Sequence, residues 1–106
     1  MTYNYLQLFV EIERIVSTTP MITLSDLSQQ LQCSHPTIEK AITGQTGNSF
    51  RDYKNIKLIE RCVLLRRQGY GVKIIALELG YKWPNNLSRF FKDKTGLDIS
   101  MLNRSQ

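Results

Sequence analysis

In 106 residues the sequence has one histidine, one tryptophan, two cysteines and three prolines, and these scarcities exclude several kinds of protein. Cys33 and Cys62 stand far apart with only His35 as a further soft ligand, so neither a metal-ligand spacing nor a disulfide framework exists. No cofactor and no metal are expected. The longest uninterrupted apolar runs are four residues, far short of the roughly 20 that cross a bilayer, so no membrane partner is expected. Met1 is followed by polar residues, with no cationic start ahead of an apolar run, and a secretory leader is not expected. The expected location is cytoplasmic, with reduced thiols. The lone histidine has no suggestively placed carboxylate pair beside it, and no glycine loop is built to cradle phosphate. An enzyme is therefore not expected.

What is present suits a folded chain. It is 42% hydrophobic and 22% charged, ordinary for a globular protein. The length allows one small domain or two subdomains, and neither half can bury much surface alone, so some element must bridge them. The formal charge is +5, and its distribution matters more than its total. Residues 1–33 carry one base (Arg14) against Glu11, Glu13 and Asp26. Residues 34–106 hold thirteen Lys and Arg against six Asp and Glu, a local excess of +7. Such an asymmetry is the footprint of a polyanion-binding face.

The stretch VKIIALELGYKWPNNLSRFFK, residues 72–92, carries the clearest pattern. Val72, Ile75, Ala76 and Leu79 recur at helical spacing and form one apolar stripe. Gly80 follows where helices commonly end in the left-handed conformation, and Pro84 sits where a first helical turn tolerates proline. Leu87, Phe90 and Phe91 then point one way, while Asn85, Ser88, Arg89 and Lys92 point the other. A row of amide, hydroxyl and cations on a helix anchored from behind suits the major groove, where base edges offer donors and acceptors between rows of phosphate.

The pattern occurs twice. At a shift of 48 or 49 residues, Leu27 matches Ile75, Ser28 matches Ala76, Leu31 matches Leu79, Ile38 matches Leu87, Ile42 matches Phe91, and Thr46-Gly47 matches Thr95-Gly96. The outward row Pro36, Glu39, Lys40, Thr43 falls in register with Asn85, Ser88, Arg89, Lys92. Self-similarity of this kind points to two helix-turn-helix units.

Around these units the pattern predicts a first helix over residues 3–17, burying Leu8 or Phe9, Ile12, Ile15 and Val16. Thr23 caps a second helix from Leu24 to about Gln32, and Ser34 caps a third from His35 to Thr46, closed by Gly47. Ser49 caps a connecting helix, Phe50 to Arg67, with a broad apolar face traced by Phe50, Tyr53, Ile56 or Lys57, Ile59 or Glu60, Val63 and Leu64. At 1.5 Å per residue it is about 27 Å long, near the roughly 34 Å at which one groove face of B-DNA recurs. Its cations Arg51, Lys54, Lys57, Arg61, Arg66 and Arg67 are expected to be solvated or near phosphate. Cys62 is expected to pack as a small hydrophobe. Ser100 is expected to cap a last helix through Arg104. The organisation expected is a first subdomain over 1–48, the connecting helix over 49–68 and a second subdomain over 69–106.

These residues resemble the DNA-binding domain of the AraC/XylS family of bacterial transcription regulators, over nearly the whole chain from Leu6 to Arg104. The most specific part holds Ile75-Ala76, Gly80-Tyr81, Ser88-Arg89, Phe91-Lys92 and Gly96. The resemblance implies an all-α fold of about seven helices, with two homeodomain-like helix-turn-helix subdomains joined by the long helix. It implies double-stranded DNA as partner, bound by a monomer with both recognition helices in successive major-groove segments. Carried over by position, base reading falls on Pro36, Thr37, Glu39 and Lys40 in the first unit and on Pro84, Asn85, Ser88 and Arg89 in the second. Phosphate contacts fall on Ser34, Thr43, Lys82 and Lys92. Departures from the family pattern are Pro36, Ile42-Thr43, Ser28, Leu58, Ile99 and Leu102-Asn103. They leave a second expectation open, a degenerate module that modulates another regulator or RNA polymerase. Because the chain starts just ahead of the first helix, a stand-alone regulator is expected.

Overall fold

The computed structural model describes residues 4–102, and among them every regular element is helical. The α-helices are α1 Tyr5–Thr18, α2 Leu24–Leu31, α3 His35–Thr46, α4 Phe50–Arg67, α5 Val72–Glu78 and α6 Pro84–Thr95, followed by a 3₁₀ turn at Ile99–Met101. This is the all-α architecture of about seven helices that the sequence pattern predicts. The start of the first helix at Tyr3 and the last helix's end at Arg104 lie outside the described residues.

Local chemistry explains the boundaries. The Asn4 side chain accepts from the Gln7 amide (3.1 Å) and starts α1. Thr23 and Asp26 form a reciprocal capping box at α2, the Asp26 amide donating to Thr23 Oγ1 (3.1 Å) and the Thr23 amide to Asp26 Oδ2 (3.5 Å). Such a box satisfies two of the donors that a helix start leaves unpaired. Ser34 accepts from the Thr37 amide (3.3 Å) at α3, and Ser49 from the Asp52 amide (3.2 Å) at α4. Helices α3 and α6 both end on a glycine at positive φ, Gly47 at 75° and Gly96 at 74°.

The chain divides into two compact units, the first running up to Lys57 and the second starting at Leu58. In the first, Ile12 and Val16 of α1, Ile22, Leu27 of α2, Ile38, Ala41 and Ile42 of α3, and Tyr53 of α4 form the core. Phe9 packs against Tyr53 with ring centroids 5.6 Å apart. In the second, Leu58, Cys62 and Leu65 of α4 meet Ile75, Ala76, Leu79, Leu87, Phe91 and Ile99.

Three details differ from expectation. No single apolar stripe runs along α4: Tyr53 serves the first core, whereas Leu58, Cys62 and Leu65 serve the second, and Ile56 and Leu64 are exposed. A helix shared by two cores need not keep one face, so the expected broad face includes the exposed Ile56 and Leu64 and leaves out the buried Leu58 and Leu65. The final element is capped by Asp98, not Ser100. The Asp98 carboxylate accepts from the Ser100 amide (3.0 Å) and hydroxyl (2.8 Å), and a single 3₁₀ turn results. Helix α2 stops at Leu31 because Gln32 adopts φ 54°, ψ 43° and turns the chain.

Three of the family-pattern departures, Ser28, Leu58 and Ile99, are absorbed in the packing. The Ser28 hydroxyl donates to the Cys33 carbonyl, so a polar residue is satisfied at an otherwise apolar position. Leu58 and Ile99 are buried core residues. Cys62 is fully buried, and desolvation pushes its thiol from the ordinary 9.0 up to about 12. Burial, with a lesser push from Cys62, raises the Tyr81 hydroxyl from 10.0 to about 12.

Two outcomes follow for stability. Replacing Phe91 by alanine empties the site of the largest fully buried side chain and should cost about 3–5 kcal/mol, read from urea midpoints, with Phe90→Ala costing distinctly less. Raising pH should destabilise the second unit. The unfolded thiol and phenol release protons near 9.0 and 10.0, whereas the folded groups hold them to about 12. The stabilising contribution is thus complete below pH 9 and lost as pH climbs towards 12. Cys62→Ala should blunt this fall in a thermal melt series, and an unaltered pH profile would contradict it.

Candidate nucleic-acid interface

The two repeated units coincide in backbone detail. The Cys33 amide donates to Ser28 O (3.2 Å) and, 48 residues on, the Tyr81 amide donates to Ala76 O (2.8 Å), closing each inter-helix turn with the same bond. At the far ends Thr46 Oγ1 donates to Ile42 O and Thr95 Oγ1 to Phe91 O, both at 2.7 Å. Each threonine hydroxyl also accepts an amide from two residues on, at 3.1 and 3.0 Å. Helices α3 and α6 are each twelve residues long.

Each helix is fixed from behind. Ile38, Ala41 and Ile42 are fully buried under α3, as are Leu87 and Phe91 under α6. The opposite side of α3 then exposes Pro36, Glu39, Lys40 and Thr43, with Thr37 half-buried. The opposite side of α6 exposes Asn85, Arg89 and Lys92, with Ser88 half-buried, and Pro84 is half-buried at the helix start. Every residue placed by the sequence in an outward row therefore has some solvent access within its own unit.

Their present partners differ. Lys40 Nζ lies 5.8 Å from the centroid of the Tyr5 ring, a contact worth only about 0.5–1 kcal/mol at an exposed site. Thr43 Oγ1 donates to Asn48 O (3.2 Å), so its hydrogen already has an acceptor. The Ser34 hydroxyl pairs with that of Thr37 (2.8 Å) besides capping α3. Lys82 Nζ sits 5.7 Å from the Trp83 ring centroid. The Ser100 bonds hold the Asp98 carboxyl below the usual carboxylate range, with a smaller pull from Lys92.

Two cations of α4 are not solvated phosphate contacts. Lys57 pairs with Glu13 (3.1 Å). Arg66 is buried at 8% exposure and ties the second unit together, donating from Nη1 to Tyr70 O (3.1 Å) and from Nη2 to Ser100 O (3.0 Å). A charged group used this way is a structural clamp. His35 is exposed. Cys33 is partly buried, its Sγ lying 3.3 Å from Leu31 O. Sequence reasoning passed over Trp83, which is 60% exposed directly before α6. The signal was available: at the repeat offset of 49 residues it stands where the first unit has Ser34.

Solved structures share this fold. The C-terminal domain of the two-component response regulator yesN from Fusobacterium nucleatum is 26% identical with TM-score 0.72, over 92% of this chain and 95% of that one. A DNA-binding transcriptional dual regulator from Escherichia coli K-12 is 16% identical with TM-score 0.68, over 93% and 88%. A probable AraC family transcriptional regulator from Rhodopseudomonas palustris is 20% identical with TM-score 0.63, over 92% and 93%. The fold is therefore the one that these bacterial regulator domains share. Within it, the resemblance to the AraC family holds across most of the chain at the level of fold. Neither a family model nor a curated protein matches the sequence.

Replacing Arg66 by methionine should lower the thermal stability of the second unit, because two carbonyls lose their donor. The slope of any DNA affinity against salt should stay the same, since this cation touches no phosphate. A reduced slope at unchanged stability would contradict the clamp.

Proposed function

We propose that this chain is a sequence-specific DNA-binding transcription regulator that binds as a monomer, with α3 and α6 in successive major-groove segments. The observation that carries this reading is the repeated pairing of a buried apolar anchor with an outward polar row, Ile38–Ile42 behind Glu39 and Lys40, and Leu87–Phe91 behind Asn85 and Arg89. A helix locked by its core presents its outer side chains from a backbone that is already ordered, which is what base readout needs. The regulators that share the fold and the +7 excess after residue 33 support it.

The roles follow from side-chain chemistry. Arg89 bonds guanine O6 and N7 bidentately, Asn85 pairs with an adenine edge, Ser88 meets either, and Lys40 reaches a guanine or a phosphate. Glu39 accepts from cytosine N4, with Pro36 and Thr37 beside it, and Pro84 lies at the start of the second reader. Ser34, Lys82 and Lys92 face phosphate, joined by Thr43 once its hydroxyl turns from Asn48 O, which positions the protein without specifying sequence. Such a protein works in the cytoplasm and carries no catalytic step. A second reading, in which the first unit serves a partner such as RNA polymerase, draws support from Pro36, which offers no polar reach, and from the committed Thr43 hydroxyl.

Arg89→Ala should cost about 1–3 kcal/mol on the best site and relax preference at one base pair. Lys92→Ala should weaken all duplexes alike and flatten the salt dependence. Competition titrations at several salt concentrations check both, and identical binding of every sequence by wild type and Arg89→Ala would remove sequence reading from the proposal.

A further inference from the structure

Ser34 and Trp83 occupy one structural position. Each immediately precedes a twelve-residue helix with proline in its first two positions and a glycine at positive φ after its end. Ser34 caps its helix, whereas Trp83 makes no side-chain cap bond and leaves its indole 60% exposed. Capping and burial preferences both disfavour tryptophan there, so its presence calls for a contact outside the unit's own core. The indole borders a depression of about 180 Å³ lined by Leu77, Tyr81 and Pro84 together with Lys73 and Lys82. Its lining is mostly apolar, with two cations and no carboxylate among the lining residues, which fits an apolar group carried on an anionic backbone. Pro84 lines this depression and opens α6 immediately before Asn85, so the depression adjoins the start of the proposed reading row.

We infer that Trp83 is a specificity-determining DNA contact, its indole face packing on a thymine C5-methyl beside the bases met by Asn85 and Arg89, with Lys73 and Lys82 on flanking phosphates. The chemistry selects the ligand: the indole offers an apolar face and a single N–H donor, and the thymine methyl is the apolar feature of the major groove. This rests on the proposed DNA-reading role of α6.

The test uses the intact chain and the tightest duplex recovered from a random pool. Each thymine is replaced in turn by deoxyuridine, which removes only the methyl. One thymine near the segment read by α6 should matter, its loss weakening wild type by about three- to tenfold. Trp83→Ser restores a capping residue, so its melting temperature should not fall. It should bind the thymine duplex that much more weakly and lose the deoxyuridine effect at that position, while Trp83→Phe keeps it. A Trp83→Ser protein with wild-type affinity and wild-type sensitivity to every methyl overturns the inference. If Arg89→Ala still impairs binding in that case, the DNA-reading role stands and the depression passes to a protein partner. Recovery of no preferred duplex at all overturns both.

Discussion

The outward rows of this chain depend on how its two apolar cores clamp α3 and α6. Ile38, Ala41 and Ile42 admit no solvent, nor does Leu87, and Phe91 admits almost none. A helix with that side sealed has its rotation fixed, and the residues about two positions away, on the far side of the helix, must face outward. The anchors differ in size, isoleucine under α3 and phenylalanine under α6. The equivalent hydroxyl–carbonyl locks at Thr46 and Thr95 end both helices in the same way. The outward rows are therefore set by packing alone.

Much of this was legible in the sequence because it rests on local rules. Thr23 with Asp26, Ser34 ahead of Pro36, Ser49, and the glycines at 47, 80 and 96 are short-range signals, and each acts where its residue type predicts. The repeat offset added what local rules lack, a reason to assign the same role to Ile42 and Phe91. What was not legible depends on partners distant in sequence. A broad apolar face on α4 suggested Ile56 and Leu64, yet Leu58 and Leu65 are buried, because the helix serves one core with its first half and another with its second. Arg66 looked like surface charge, and only a carbonyl 34 positions away reveals it as a clamp. Asp98 took the capping role expected of Ser100 because its carboxylate reaches both the amide and the hydroxyl of Ser100.

The site itself divides similarly. The outward position of Asn85, Arg89, Glu39 and Lys40 followed from periodicity, while the commitments of Thr43 to Asn48 and of Lys57 to Glu13 needed coordinates. The two units are thus alike in frame and unlike in surface. The first offers a carboxylate, a proline and a tied threonine; the second offers an amide, a guanidinium and an exposed indole. On the proposed function this asymmetry makes α6 the stronger reader.

The most direct test of the account is a hydroxyl-radical footprint on the duplex recovered by selection from a random pool. Two protected blocks about one helical turn apart on one face of the duplex are predicted, with Arg89→Ala weakening one block and Lys40→Ala the other. A single block insensitive to Lys40, or uniform protection that fades with salt regardless of sequence, would contradict a protein that reads DNA with both units.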